Sequence, residues 1–139
     1  CAFKFNKEMN VYKLFVLDVG LLGAMSDLDA MSILEGNDIF VEFKGALTEQ
    51  YVLQQIISDT KYTPYYYGTE KATFEQDFMI QMGKDVVPIE VKAETNLKSQ
   101  SLKCYCEKYH PQKAIRFSAK KYIDQGWMKN VPLYAVCTL

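Results

Sequence analysis

The sequence predicts one α/β or α+β domain, a mixed sheet flanked by helices, and three observations support this. Apolar residues recur at helical spacing through positions 38–60. Beyond residue 62 the period changes, and short apolar runs separated by turns take over. The composition is 49% hydrophobic and 24% charged over 139 residues. That balance excludes a disordered tail, a collagen-like repeat and a low-complexity linker. A chain of this length buries about two-thirds of its unfolded surface, enough for one core without covalent staples. Ten Tyr and eight Phe let a few large rings build that core.

The elements follow in order. Tyr12–Asp18 (YKLFVLD) is an apolar run ending on a carboxylate. Val19–Met25 reads as a strand entering a helical turn or as one short helix. Ser26 to Asp29 offers cap residues for a helix through Leu34, closed by Gly36-Asn37. The long helix spans Asp38–Thr60, with Phe40, Phe43, Leu47, Val52, Leu53, Ile56 and Ile57 toward its apolar side. Gly45 in its middle costs about 1 kcal/mol relative to Ala, so a close neighbour is expected there. Thr63–Tyr67 is a strand entered through Pro64. Thr73–Gln81 and Val86–Ala93 form a hairpin about the turn at 82–85. Ser99–Tyr109 is a helix carrying Leu102, Tyr105 and Cys106 on one face, ended by His110-Pro111. Ala114–Ser118 is a short strand, and Asn130–Cys137 the last strand.

Several chemistries are excluded or weakened. A P-loop sequence is absent, so the chain does not itself bind ATP that way. With one His and no nucleophile motif, a Ser-His-Asp or Cys-His enzyme has little support. Cys1, Cys104, Cys106 and Cys137 show no C-x-x-C spacing and read as reduced thiols. No apolar run is long enough to cross a membrane, and the first residues do not form a secretory signal. A cytoplasmic protein is expected. The absence of an initiator Met suggests a piece of a longer chain. The net charge of −1 hides an asymmetry. Residues 1–83 carry six basic and twelve acidic side chains, and residues 84–139 carry ten basic and five acidic. The lysine-rich second half suits either a polyanion or simple solvation.

One constellation carries chemistry. Asp77 lies on the first hairpin strand, and Glu90-Val91-Lys92 lies on the second. Side chains two apart on a strand share a face, so Glu90 and Lys92 point the same way. The hairpin brings Asp77 beside Glu90, and Glu49 on the long helix supplies a further carboxylate. Neighbouring carboxylates repel, and a divalent cation relieves the repulsion. The Lys92 ammonium beside that cation is placed to orient a water or to stabilise charge on a phosphate. On spacing alone a plain Glu90–Lys92 ion pair explains the pattern. The apolar surroundings of Glu90, between Pro88, Ile89 and Val91, favour a partner or a metal.

This D…(D/E)-x-K pattern is that of the PD-(D/E)XK phosphodiesterases. The blocks YKLFVLDVGLL, FKGALTEQYVLQQI, YYYGTEKATFEQDFMIQ, PIEVKAETNLKSQSLKCYCEKY and NVPLYAV also occur in order, over about residues 12–137. Together they resemble a domain of unknown function found at the C-terminus of bacterial and archaeal AAA-type ATPases. The resemblance implies a restriction-endonuclease-like α/β fold over residues 1–139. It also implies a covalently linked ATPase portion that would supply any ATP binding. By the same resemblance Glu49, Asp77 and Glu90 would hold Mg²⁺, with Mn²⁺ as substitute, and Lys92, Asp77 and Glu90 would be catalytic. The family often has E-V-D-F where this chain has Glu75-Gln76-Asp77-Phe78. The expected function is a Mg²⁺-dependent phosphodiesterase acting on DNA. The alternatives are a non-catalytic regulatory or protein-interaction module that keeps the fold, and a structural domain whose charges pair with one another. The intact Asp/Glu/Lys set favours the enzyme, while the acidic balance and the lack of a continuous basic stripe favour the others.

Overall fold

In the computed structural model, which describes residues 12–27, 31, 38–68, 75–93 and 99–139, the chain enters along a strap at residues 12–18. The strap ends on Asp18, whose carboxylate accepts from the Leu21 N–H at 2.8 Å and so caps helix α1 (Val19–Met25). Helix α2 (Asp38–Asp59) follows. Then come β1 (Tyr65–Tyr67), β2 (Gln76–Met82) and β3 (Asp85–Lys92). Helix α3 (Gln100–Tyr109) leads to β4 (Ile115–Ser118), β5 (Ile123–Asp124) and β6 (Lys129–Pro132), and a 3₁₀ helix spans Leu133–Thr138.

The strands form one sheet of order β1-β2-β3-β4-β6-β5. The pairs β1–β2, β2–β3 and β5–β6 are antiparallel, and β3–β4 and β4–β6 are parallel. The molecule is thus α/β with a mixed sheet. Gly83 turns the β2–β3 hairpin at φ +64°, a left-handed backbone that glycine adopts without strain. The step from β3 to the parallel β4 is made through α3, as a parallel pair requires a crossover.

Both sheet faces are used, which explains the near-continuous apolar runs in the middle strands. Phe78, Ile80, Val87, Ile89, Val91, Ile115 and Phe117 point to one face, where Val52 and Ile56 of α2 and Val136 of the 3₁₀ helix complete the core. The alternate residues Glu90, Arg116, Ser118 and Asn130 point the other way and are also buried. A smaller cluster of Leu102, Ala114 and Met128, with Cys106 against it, joins α3 to the rest.

Most expected elements are found, with four differences. The last strand stops at Pro132, and Leu133–Thr138 coil as a 3₁₀ helix, placing Val136 in the core. The two-residue β5 is too short to show a period. Ile57 is 62% exposed because Ile56, one residue earlier and 0% exposed, takes the core-facing position. Among the described residues Gly45 has no close neighbour: a Cβ built there meets nothing within 4 Å, so the expectation of tight packing is not met there. Val19–Met25 proves to be a helix, and the run before it forms neither helix nor strand. His110 ends α3 in the left-handed conformation, φ 48° and ψ 51°, with its N–H on the Cys106 carbonyl at 2.9 Å. Cys104, Cys106 and Cys137 are free thiols. The expected helix ending at Gly36-Asn37, Thr73, Cys1 and the side chain of Phe40 lie outside the described residues. No helix is long and apolar enough to cross a membrane, among the described residues.

Candidate functional site

The β2–β3 ladder ends at the pair Phe78↔Ile89. Past that pair the Val91 N–H is taken by a side chain: Asp77 Oδ2 accepts from it at 2.7 Å. Asp77 is thereby fixed against the backbone between Glu90 and Lys92. Glu90 is only 5% exposed. Its Oε1 lies 3.1 Å from Lys92 Nζ, as the shared strand face requires. Its Oε2 is buried and has no hydrogen-bond partner among the described residues. Such an oxygen is costly and calls for a donor or a cation.

Glu49 enters from α2, and the connection to Asp77 runs through a residue the spacing did not reveal. Lys13, on the strap, donates to Glu49 Oε2 at 2.8 Å and lies 3.6 Å from Asp77 Oδ1. Burial and the nearby Asp77 charge push the Glu49 carboxyl above its ordinary value, while Lys13 and Lys92 pull it down. Burial alone would lower Lys13, but the bond to Glu49 and the charges of Glu49 and Asp77 outweigh it and raise the ammonium. Lys13, Glu49 and Asp77 thus form one ion-pair group and Glu90 with Lys92 another, with the Asp77 bond to the Val91 N–H lying between them.

Buried polar groups continue from Glu90 into the sheet. Arg116 is the register partner of Glu90 on β4, and Asn130 is the partner of Arg116 on β6. Arg116 Nε donates to Asn130 Oδ1 at 2.9 Å and Nη1 to Ser99 Oγ at 3.0 Å. Ser118 Oγ donates to the same Asn130 oxygen at 2.7 Å. Burial lowers the Arg116 guanidinium, and the Glu90 charge pulls it back up. An open groove of about 580 Å³ is lined by Lys44, Thr48, Tyr51, Ala93 and Leu133 among others, and none of the expected site residues lines it.

Residues 44–137, two-thirds of the chain, match the family described as Domain of unknown function (DUF4143). The chain belongs to this family. Glu49, Asp77, Glu90 and Lys92 all fall within the DUF4143 match, and Lys13 lies before it. No curated protein and no solved structure matches the chain.

Within this DUF4143 domain Glu49 and Asp77 share Lys13, Glu90 pairs with Lys92, and Asp77 accepts from the Val91 N–H between those two, but the four are not gathered into a closed cage. Among the described residues no group of three or more His, Cys, Asp or Glu side chains stands ready to hold a metal ion. Lys13 and Arg116 are the two residues the sequence pattern missed. Each is a lone cation inside an apolar run, YKLFVLD and AIRFS, and a lone buried charge in such a run requires a counter-ion. That is the signal that would have found them.

Proposed function

We propose that this chain is a PD-(D/E)XK nuclease-like domain, the C-terminal portion of an AAA-type ATPase, which hydrolyses phosphodiester bonds in cytoplasmic DNA with a divalent cation. The observation that carries the reading is Glu90. A carboxylate 5% exposed keeps one oxygen without a hydrogen-bond partner among the described residues, beside Lys92 and next to the backbone that anchors Asp77. Glu49, Asp77 and Glu90 are hard oxygen donors of the kind Mg²⁺ or Mn²⁺ takes, although among the described residues they are not gathered as a ready metal cluster. These three residues would hold the ion, which supplies Lewis-acid polarisation and a more acidic bound water. Lys92, 34% exposed at its side chain, can reach a phosphate oxygen or an attacking water and stabilise negative charge there. Asp77 holds its position through the Val91 N–H, so its second oxygen stays directed at Lys13 and the Glu49 side.

The test is cleavage of single- and double-stranded DNA in Mg²⁺ or Mn²⁺ by the chain joined to its ATPase portion. Metal-dependent cleavage that falls by orders of magnitude in Lys92→Ala supports the reading. Absence of cleavage together with absence of metal-dependent thermal stabilisation overturns it. A second reading, a non-catalytic module that keeps the fold, is favoured by one observation. Lys13 already stands between Glu49 and Asp77 as a counter-ion, so each of these carboxylates has a cationic partner without a metal.

A further inference from the structure

The three parallel strands end level. Lys92 of β3, Ser118 of β4 and Pro132 of β6 are register partners, and each is the last residue of its strand. The residues that follow them, Ala93, Ala119 and Leu133, all line the groove of about 580 Å³. The groove therefore lies off the carboxyl ends of the parallel strands, where open α/β sheets receive their ligands. Its volume is that of a ligand site. Helix α2 adds Lys44 and Tyr51 to the lining, and the 3₁₀ helix adds Tyr134. The Tyr134 ring is 79% exposed, although its segment also places Val136 in the core. Among the described residues no carboxylate lies within ion-pair distance of Lys44. Lys120 and Lys121 follow directly on Ala119, are exposed, and also have no such carboxylate among the described residues. The groove thus combines two rings with positive charge that the described carboxylates do not balance.

We propose that this groove binds single-stranded DNA, with bases on the Tyr134 and Tyr51 rings and a phosphate on Lys44. The inference deepens the nuclease reading and rests on it for the choice of DNA. None of Glu49, Asp77, Glu90 and Lys92 lines the groove, so it holds the strand apart from the residues proposed to cleave it. Rings and lysines together suit a strand, because each nucleotide presents one flat apolar face and one negative charge. An unpaired base has a face to bury on a ring, whereas a duplex keeps its base faces stacked inside. An acidic peptide would answer the lysines but not the rings. Ala93 and Ala119 are small, which leaves room for a base over the strand ends. Lys120 and Lys121 extend the positive charge past Ala119 toward further phosphates.

The experiment is fluorescence anisotropy of labelled DNA with this chain, in EDTA so that no metal-dependent cleavage occurs. The probes are an oligothymidylate of about twelve nucleotides and a duplex of the same length. The oligothymidylate should bind at least about fivefold tighter than the duplex. Tyr134→Ala should weaken the oligothymidylate at least about fivefold and leave the duplex unchanged, and Tyr134→Trp should restore the binding. Tyr134 is exposed, so its replacement leaves the core in place. Lys44→Met should lower the slope of log affinity against log salt by about 0.7, the share of one phosphate on a single strand. Absence of strand binding, equal binding of the two probes, or binding that Tyr134→Ala does not change overturns the proposal. So does an unchanged salt slope in Lys44→Met, or competition by polyglutamate as strong as by oligothymidylate. Cleavage is read separately. Strand binding in EDTA with no cleavage once Mg²⁺ is added leaves the groove and removes the nuclease. Cleavage without strand binding in EDTA removes the groove alone.

Discussion

Gly45 shows how a single residue divides between local and tertiary explanations. It sits inside α2, and among the described residues nothing lies within 4 Å of where a Cβ would project. Glycine there restrains the unfolded chain less than alanine and has no packing duty in return. Gly45→Ala should raise stability by roughly 0.5–1 kcal/mol, read as a higher urea midpoint. A lower midpoint would show that the position serves a contact after all. Cys106 offers a second test at this scale. Burial, helped by the neighbouring Glu107 charge, pushes its thiol up to about 11. The thiolate is the reactive form, so at pH 8 only about one Cys106 in a thousand is ionised. Cys137 is exposed. Iodoacetamide should therefore modify Cys137 well before Cys106, and the Cys106 rate should climb as the pH rises toward 11. Peptide mapping after timed quenching checks the order, and equal rates at the two sites would contradict it.

At the level of elements, the strap and α2 behave as one unit joined by two glutamine amides. Gln50 is buried and satisfies both the N–H and the C=O of Val16. Gln50→Ala leaves those two backbone groups without partners, so it should cost about 2–4 kcal/mol. Gln50→Glu keeps the size but loses the donor, and should also destabilise. Hydrogen exchange supplies the specific readout: the Val16 amide should lose protection in Gln50→Ala more than the β3 amides do. Uniform loss across the chain would mean that the strap is not an element in its own right. The strap also marks where sequence reading ran out. Helix α2 was legible because its apolar residues recur at helical spacing, and strands β2 and β3 because short apolar runs flank the turn at 82–85. The course of YKLFVLD was not, because it has no period of its own and is set by side chains more than thirty residues away. The stretch after Pro132 misled for a related reason. An unbroken apolar run such as LYAVC carries no period that separates a strand from a tight helix. Of the site, Glu49, Asp77, Glu90 and Lys92 were legible as a motif, whereas Lys13 and Arg116 depend on which strands and helices become neighbours.

Across the whole molecule, the sheet carries a buried polar row through its centre, and that row ties stability to the candidate site. Glu90, Arg116 and Asn130 are register partners on β3, β4 and β6, and none is more than 5% exposed. A domain choosing stability alone would fill these positions with apolar side chains, since buried charges rarely repay their desolvation. Keeping them is consistent with a function for Glu90, and the energetics can be separated from that function by a double-mutant cycle. Arg116→Met removes the guanidinium that Glu90, Ser99 and Asn130 face. It leaves a buried carboxylate beside Lys92 alone, and should cost about 3–5 kcal/mol. Glu90→Gln removes the charge while keeping the shape, and leaves Arg116 without its carboxylate neighbour. If the two charges support each other across the strands, Arg116→Met combined with Glu90→Gln should be less destabilised than the sum of the single changes, by at least about 1 kcal/mol. Urea unfolding of the four proteins measures this directly. Strict additivity would mean that Arg116 and Glu90 do not support each other across the strands. Lys92→Ala offers the contrast. Its partly exposed ion pair with Glu90 contributes about 0–1 kcal/mol by the usual measure of such pairs. A stability loss much larger than that would place Lys92 in the structural row, whereas a small one leaves its ammonium free to serve a phosphate.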